Sequence, residues 1–187
     1  MVKKVLVIVL VFCGMNLFSQ TSDIVVKEGL LRFQGTIGMG KSTDRNENNI
    51  FLHGNLEYFI HSFLTTRGDT YFFLENEENS LDVNHQLFAG MAYHFSKKSN
   101  FVPYIGIQPG LAATRYNGTT KTETTPLVSA VAGFNYFAAK WFHLFIDARF
   151  VSGKHLSNLP PYPINEIRLS FGLGFNIVTK KISSFGR

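Results

Sequence analysis

Residues 166–177 read Glu-Ile-Arg-Leu-Ser-Phe-Gly-Leu-Gly-Phe-Asn-Ile, a strict alternation. Ile167, Leu169, Phe171, Leu173, Phe175 and Ile177 fall on one face, and Glu166, Arg168, Ser170, Gly172, Gly174 and Asn176 on the other. Wound as a helix, the segment would scatter its apolar groups all round; extended, it is cleanly two-faced. Residues 49–60 repeat the pattern, with Ile50, Leu52, Leu56, Tyr58 and Ile60 against His53, Asn55 and Glu57. Residues 141–151 do so again, with Phe142, Leu144, Ile146, Ala148 and Phe150 opposing His143, Asp147 and Arg149.

Working outward, the chain offers eight such segments: 30–39, 49–60, 63–74, 84–95, 101–113, 126–138, 141–151 and 166–177. Most exceed the usual soluble strand of ~5–6 residues and approach the ~9–11 that cross a bilayer at a tilt. The connections alternate. Those after the second, fourth and sixth segments are short, such as His61-Ser62 and Ala139-Lys140, whereas the others are long and polar. Short turns at one end and long loops at the other are the pattern of an outer-membrane barrel. The expected fold is therefore all-β, an eight-stranded antiparallel transmembrane up-and-down barrel over 30–177. Residues 20–29 form a short N-terminal segment and 178–187 a periplasmic tail.

Composition agrees. Of 187 residues 45% are hydrophobic, 14% aromatic and 17% charged, against roughly 25% charged in an average soluble domain. Disorder is excluded, because it needs few aromatics and high net charge. A single cysteine excludes a disulfide scaffold. The one long apolar run follows Lys3 and Lys4 and tapers into small and polar residues by Ser19, the pattern of a cleaved signal peptide over 1–19. Removing those two lysines from 18 basic residues leaves 16 against 13 acids, about +3, which does not point to nucleic acid.

Alternation alone does not say which face points outward. A soluble periplasmic lipid-binding barrel would turn the apolar face inward. Its surface, however, wants ~25–35% charged residues, and these polar faces carry about one charge per strand. Arg32, Arg67, Arg149 and Arg168 balance Glu57, Asp69, Asp147 and Glu166, which suits a narrow interior filled by side chains. Aromatics gather near the short turns (Tyr58, Phe63, Tyr93, Phe95, Phe101, Tyr136, Trp141), where an interfacial girdle belongs.

On these segments the chain resembles the small eight-stranded outer-membrane barrels of the OmpA/OmpX type, and residues 101–110 (FVPYIGIQPG) look like a strand common in that broad group. The resemblance implies a cell outer-membrane protein of the Gram-negative envelope with surface loops. It would be a monomer among outer-membrane lipid and lipopolysaccharide, with a structural or surface-interaction role toward a ligand not named by the sequence. An eight-stranded interior holding arginines, carboxylates and histidines is too narrow for a water-filled pore, so no general porin activity and no cofactor are expected. Pro109, inside a strand, calls for a bulge or bend.

Four features invite chemistry. Residues 35–42 (GTIGMGKS) match the phosphate-loop expression, but a turn and a strand follow where the chemistry requires a helix. Residues 155–158 (His-Leu-Ser-Asn) resemble the His-x-Ser-Asn motif of outer-membrane lipid A 3-O-deacylases. That resemblance implies Ser157 as nucleophile, His155 as base, Glu166 as orienting acid and Asn158 as oxyanion donor. Leu159-Pro160-Pro161 departs from that family's small residues, and the strand parity turns His155 and Ser157 inward unless Gly153 makes a bulge. The enzyme is thus the alternative to an ordinary punctuated loop. His53, His61, His85, His94 and His143 lack ligand spacing, so lumen hydrogen bonding rather than a metal is expected. Glu75, Glu77, Glu78 and Asp82 make one loop acidic and are expected to be solvated.

Overall fold

The alternation of residues 166–177 becomes the last long strand of a closed sheet. The computed structural model describes residues 26–74, 79–96, 99–155 and 162–179; the segment expected to be a signal peptide and residues 180–187 lie outside these. The strands are β1 (Leu30–Ser42), β2 (Asn48–Phe59), β3 (Leu64–Leu74), β4 (Leu81–His94), β5 (Phe101–Tyr116), β6 (Glu123–Ala139), β7 (Phe142–His155), the two-residue β8 (Tyr162–Pro163) and β9 (Glu166–Val178). Successive strands pair antiparallel, β9 pairs with both β7 and β1, and the wall of eight long strands closes. Closure leaves no sheet edge, the condition for placing a sheet in hydrocarbon.

The stagger follows from the register. Stepping across partners runs Leu31, Tyr58, Thr66, Met91, Ile107, Ala130, Phe150, Ile167 and back to β1 at Lys41, a displacement from residue 31 to residue 41. Eight strands with that shear tilt by ~40° and enclose a space that side chains can fill. At ~3.3 Å per residue, the exposed stripe of β9 from Ile167 to Ile177 stands roughly 25 Å tall, the height of the apolar band on membrane barrels.

The faces sort as an inside-out protein. Ile37, Met39, Ile107, Leu169 and Phe171 are more than half exposed, while Arg32, Glu57, Asp69 and Arg168 are wholly buried. A soluble barrel requires the reverse, which overturns that alternative.

The strands run further than the alternation indicated. Gly40, Lys41 and Ser42 continue β1 by pairing with Asn48, Asn49 and the start of β9. β6 likewise starts at Glu123, ahead of Pro126, which keeps its register place opposite Leu111. Pro109 makes no bulge. Phe88–Gly110 and Met91–Ile107 share one register, and the ladder omits only the partners of Ala89 and Gly90 between them. Pro109 faces outward, and Gly90, without a side chain, lies close under the β5 backbone, so the strand loses a donor there without shifting. The register breaks elsewhere, at Leu81/Val83 and at Phe137/Ala139.

At the short-turn end a turn at Gly29, with φ of 83°, folds the preceding segment under the barrel. Gly29 N–H donates to the Phe59 carbonyl at 2.9 Å, and Val26 packs with Leu30, Phe59, Val102 and Phe137. Outside, Tyr93, Phe95, Phe101 and Trp141 are exposed in an aromatic ring, with Tyr93 against Phe63 at 6.0 Å and Trp141 against Phe175 at 6.1 Å between centroids.

Candidate functional site, a filled and neutralised interior

The inward positions of eight strands converge on one column, so its chemistry is set by strand parity. The Arg32 guanidinium meets the Glu57 carboxylate, its ladder partner on β2. The other Glu57 oxygen accepts from Thr65 Oγ1 at 2.6 Å and lies 2.8 Å from His94 Nε2. Higher up, Arg67 grips Asp69 with two hydrogen bonds of 2.9 Å and reaches Asp147 at 3.2 Å. Arg149 lies 2.8 Å from the same Asp69 and donates to Gln108 Oε1 at 2.6 Å and Ser129 Oγ at 2.8 Å. Tyr104 Oη donates to Asp147 at 3.0 Å, and His53 Nε2 lies 2.9 Å from Asp69. Nearest the long loops, Arg168 donates to Glu166 at 2.5 Å, and Asn49 Nδ2 holds the other Glu166 oxygen at 2.8 Å.

The buried charged side chains among the described residues are four arginines and four carboxylates, so the column is electrically neutral. Each guanidinium also covers an aromatic ring: Arg32 on Phe59 at 4.8 Å, Arg67 on Tyr104 at 5.0 Å, Arg149 on Phe88 at 5.0 Å and Arg168 on Phe51 at 4.0 Å. Desolvated cations over ring faces gain ~2 kcal/mol or more each. This compensates part of what removing them from water costs.

Apolar clusters close both ends of the column. Val26, Leu30, Phe59, Val102 and Phe137 seal the short-turn end. Phe51, Tyr71, Phe73, Phe88, Leu127 and Val151 line the other, and Ile164, on the segment between β8 and β9, drops into them. That segment is tied down by Ile164 N–H to the Gly153 carbonyl at 2.9 Å, Thr43 N–H to the Asn165 carbonyl at 3.0 Å, and Ser152 Oγ to Asn165 at 2.8 Å. Around this mouth Glu47 accepts from Ser80 and pairs with Arg45 at 3.0 Å. Burial alone would raise its pKa, but the hydrogen bonds from Ser80 and Arg45 outweigh burial and hold the carboxyl below its ordinary value.

The structure gathers Arg32, Glu57, Arg67, Asp69, Asp147, Arg149, Glu166 and Arg168 in this column. Of the hydrolase-like set, Ser157 and Asn158 lie outside the described residues and His155 is described only as the paired end of β7. Gly153 makes no bulge, since Leu127–Gly153 keeps the register of Ser129–Val151. Glu166 commits its oxygens to Arg168 and Asn49. Residues 35–42 are strand, not a phosphate cradle. Among the histidines, His53, His94 and His143 are interior, but His85 faces outward and accepts the Phe73 N–H at 3.1 Å, and His61 sits in the β2–β3 turn. The interior alternative does not hold for those two, because His85 has outward parity and His61 lies beyond the strand. Of the acidic set, Asp82 lies in β4 and pairs with Arg115 at 3.0 Å instead of being solvated in a loop, while residues 75–78 lie outside the described set.

The sequence reading missed the inward aromatics. Phe51 and Phe59 share the parity of His53, Asn55 and Glu57, and Tyr71 and Phe73 share that of Arg67 and Asp69. Extending each polar face by one or two positions in both directions reveals them.

A closed barrel with a greasy wall and a neutralised interior is the architecture of the small outer-membrane β-barrels. The chain belongs to the family described as "Protein of unknown function, DUF481", whose pattern matches residues 23–158. Among solved structures the fold is similar to Neisserial surface protein A, at 16% identity and TM-score 0.60 over 80% of this chain and 96% of that one. It is also similar to the outer membrane protein OprG from Pseudomonas aeruginosa, at 10% identity and TM-score 0.61 over 82% and 98%. The N-terminal β-barrel domain of Pseudomonas aeruginosa OprF matches at 14% identity and TM-score 0.58 over 80% and 98%. No curated protein matches the chain by sequence.

Proposed function

We propose that this chain is an integral outer-membrane protein whose barrel is a rigid, solute-tight support, and whose work is done at the long-loop rim and on the lipid-facing wall. The short turns face the periplasm and the long loops the exterior, following an N-terminal export signal. The observation that carries this reading is the interior: paired arginines and carboxylates, each cation against an aromatic ring, between apolar seals at both ends. A column filled this way leaves no continuous water path, and an unpaired charge created by opening it would be expensive. The supported role is structural and surface-interacting, in contact with outer-membrane lipid and lipopolysaccharide.

Two measurements test it. Fractionation of cells expressing the full chain places the protein in the outer membrane, extractable only with detergent. Purified barrel in planar bilayers gives no stable conductance steps. Large, reproducible steps, or a mature protein that stays soluble without detergent, would overturn the proposal.

A further inference from the structure

We propose that the outer wall at the top of β1 is a binding site for a phosphorylated, multiply acylated glycolipid of the lipid A class; this rests on the outer-membrane reading above. The outward side chains of β1 run Phe33, Ile37, Met39 and then Lys41, so the wall changes from apolar to cationic in one step. Lys41 lies between Asn48 on β2 and Ile167 on β9 in the register. It is exposed and stands in no ion pair among the described residues, in contrast to nearby Arg45, which pairs with Glu47. Directly below it a groove of about 720 Å³ is walled by Met39, Ile50, Ile167 and Leu169, with the polar Thr43 and Asn48 at the Lys41 end.

Ile167 also borders a second lipid-facing depression of about 700 Å³, hollowed out where Gly106, Ala130, Ala132 and Ala148 present little or no side chain. Two apolar depressions that meet at Ile167, the first with the Lys41 ammonium at its edge, match a ligand with several chains and an anionic head. A single-chain or neutral lipid would leave either the second depression or Lys41 unused. The ammonium offers a point charge with three donors to a phosphate, strengthened where the lipid surface lowers the local dielectric. The apolar grooves hold the chains by shape, since lipid tails gain no hydrophobic energy from a wall as apolar as themselves.

The test uses the full-length mature barrel in phosphatidylcholine nanodiscs, titrated with diphosphoryl lipid A and read by native mass spectrometry. One lipid A is retained per wild-type barrel, and Lys41→Gln weakens retention about tenfold, the loss of one charge-assisted contact. Lys154→Gln, which removes another exposed rim lysine, leaves retention unchanged. Leu169→Trp fills the groove without altering charge and also lowers retention. Equal binding by wild type and Lys41→Gln, an equal loss in Lys154→Gln, or equally tight retention of phosphatidylglycerol each overturns the site. A barrel that fails to insert at all overturns the outer-membrane reading instead, so the two failures are distinct.

Discussion

Arg149 and Arg168 are direct partners across the β7–β9 ladder, and both guanidinium groups lie against the ring of Tyr71, at 5.3 and 4.6 Å from its centroid. Like charges opposite each other destabilise a sheet. They are tolerated because the side chains diverge: Arg149 reaches toward Asp69 on β3, and Arg168 turns along its own strand to Glu166. One carboxylate thus serves two strands distant in sequence. Asp69→Asn strips a partner from both Arg67 and Arg149, and its expected cost is about 3–5 kcal/mol. Urea unfolding of the barrel in lipid vesicles measures it, and a loss below about 1 kcal/mol would contradict the assigned pairing.

Tyr71 supplies a contrasting test on the same cluster. Its hydroxyl is buried with no hydrogen-bond partner among the described residues, while its ring carries the cation and aromatic contacts. Tyr71→Phe keeps the ring and removes a group that gains nothing from burial. Stability should stay within about 1 kcal/mol of wild type or rise. A drop comparable to that of Asp69→Asn would show that the hydroxyl has a partner.

The orientation of the wall predicts an effect that depends on depth. Ile107 is 66% exposed within β5, and Ile107→Lys places an ammonium against hydrocarbon at a cost of about 2–4 kcal/mol. Ile177, on the same outward face but at the short-turn end of β9, should accept lysine for about 0–1 kcal/mol. Equal costs at the two positions would mean that the outward face does not meet a bilayer.

At the mouth, Glu47 links the β1–β2 loop to Ser80 of the β3–β4 loop. Its carboxyl sits below the ordinary 4.5, so the charged form favours the folded mouth. That contribution is complete above the unfolded value and is lost as pH falls through the lower folded value. Amide exchange at Ser80 should therefore accelerate below about pH 4.5, and Glu47→Gln should abolish the change. An exchange rate flat from pH 7 to pH 3, after correction for intrinsic chemistry, would rule this linkage out.

Glu166 is engaged by Arg168 and Asn49, and so it is not expected to orient a catalytic histidine. Lipid A extracted from cells expressing the chain should keep its full set of hydroxyacyl groups, with Ser157→Ala giving the same mass spectrum. Loss of one hydroxyacyl chain in wild type alone would establish the hydrolase instead.

Period-two alternation in segments such as residues 166–177 determined the strands, their number and, with the scarcity of charge, which face meets lipid. These are local facts: a side chain's face depends only on its place along its own strand. Even the neutrality of the interior could be counted from Arg32 to Arg168 without coordinates. Which carboxylate answers which arginine could not, because Arg149 finds Asp69 through the stagger of a closed wall rather than through the adjacent ladder position. The same holds for Val26 and Ile164. Nothing in their neighbours marks them as seals, and they become so only when turns at the two ends fold them back over a column whose width the shear has fixed.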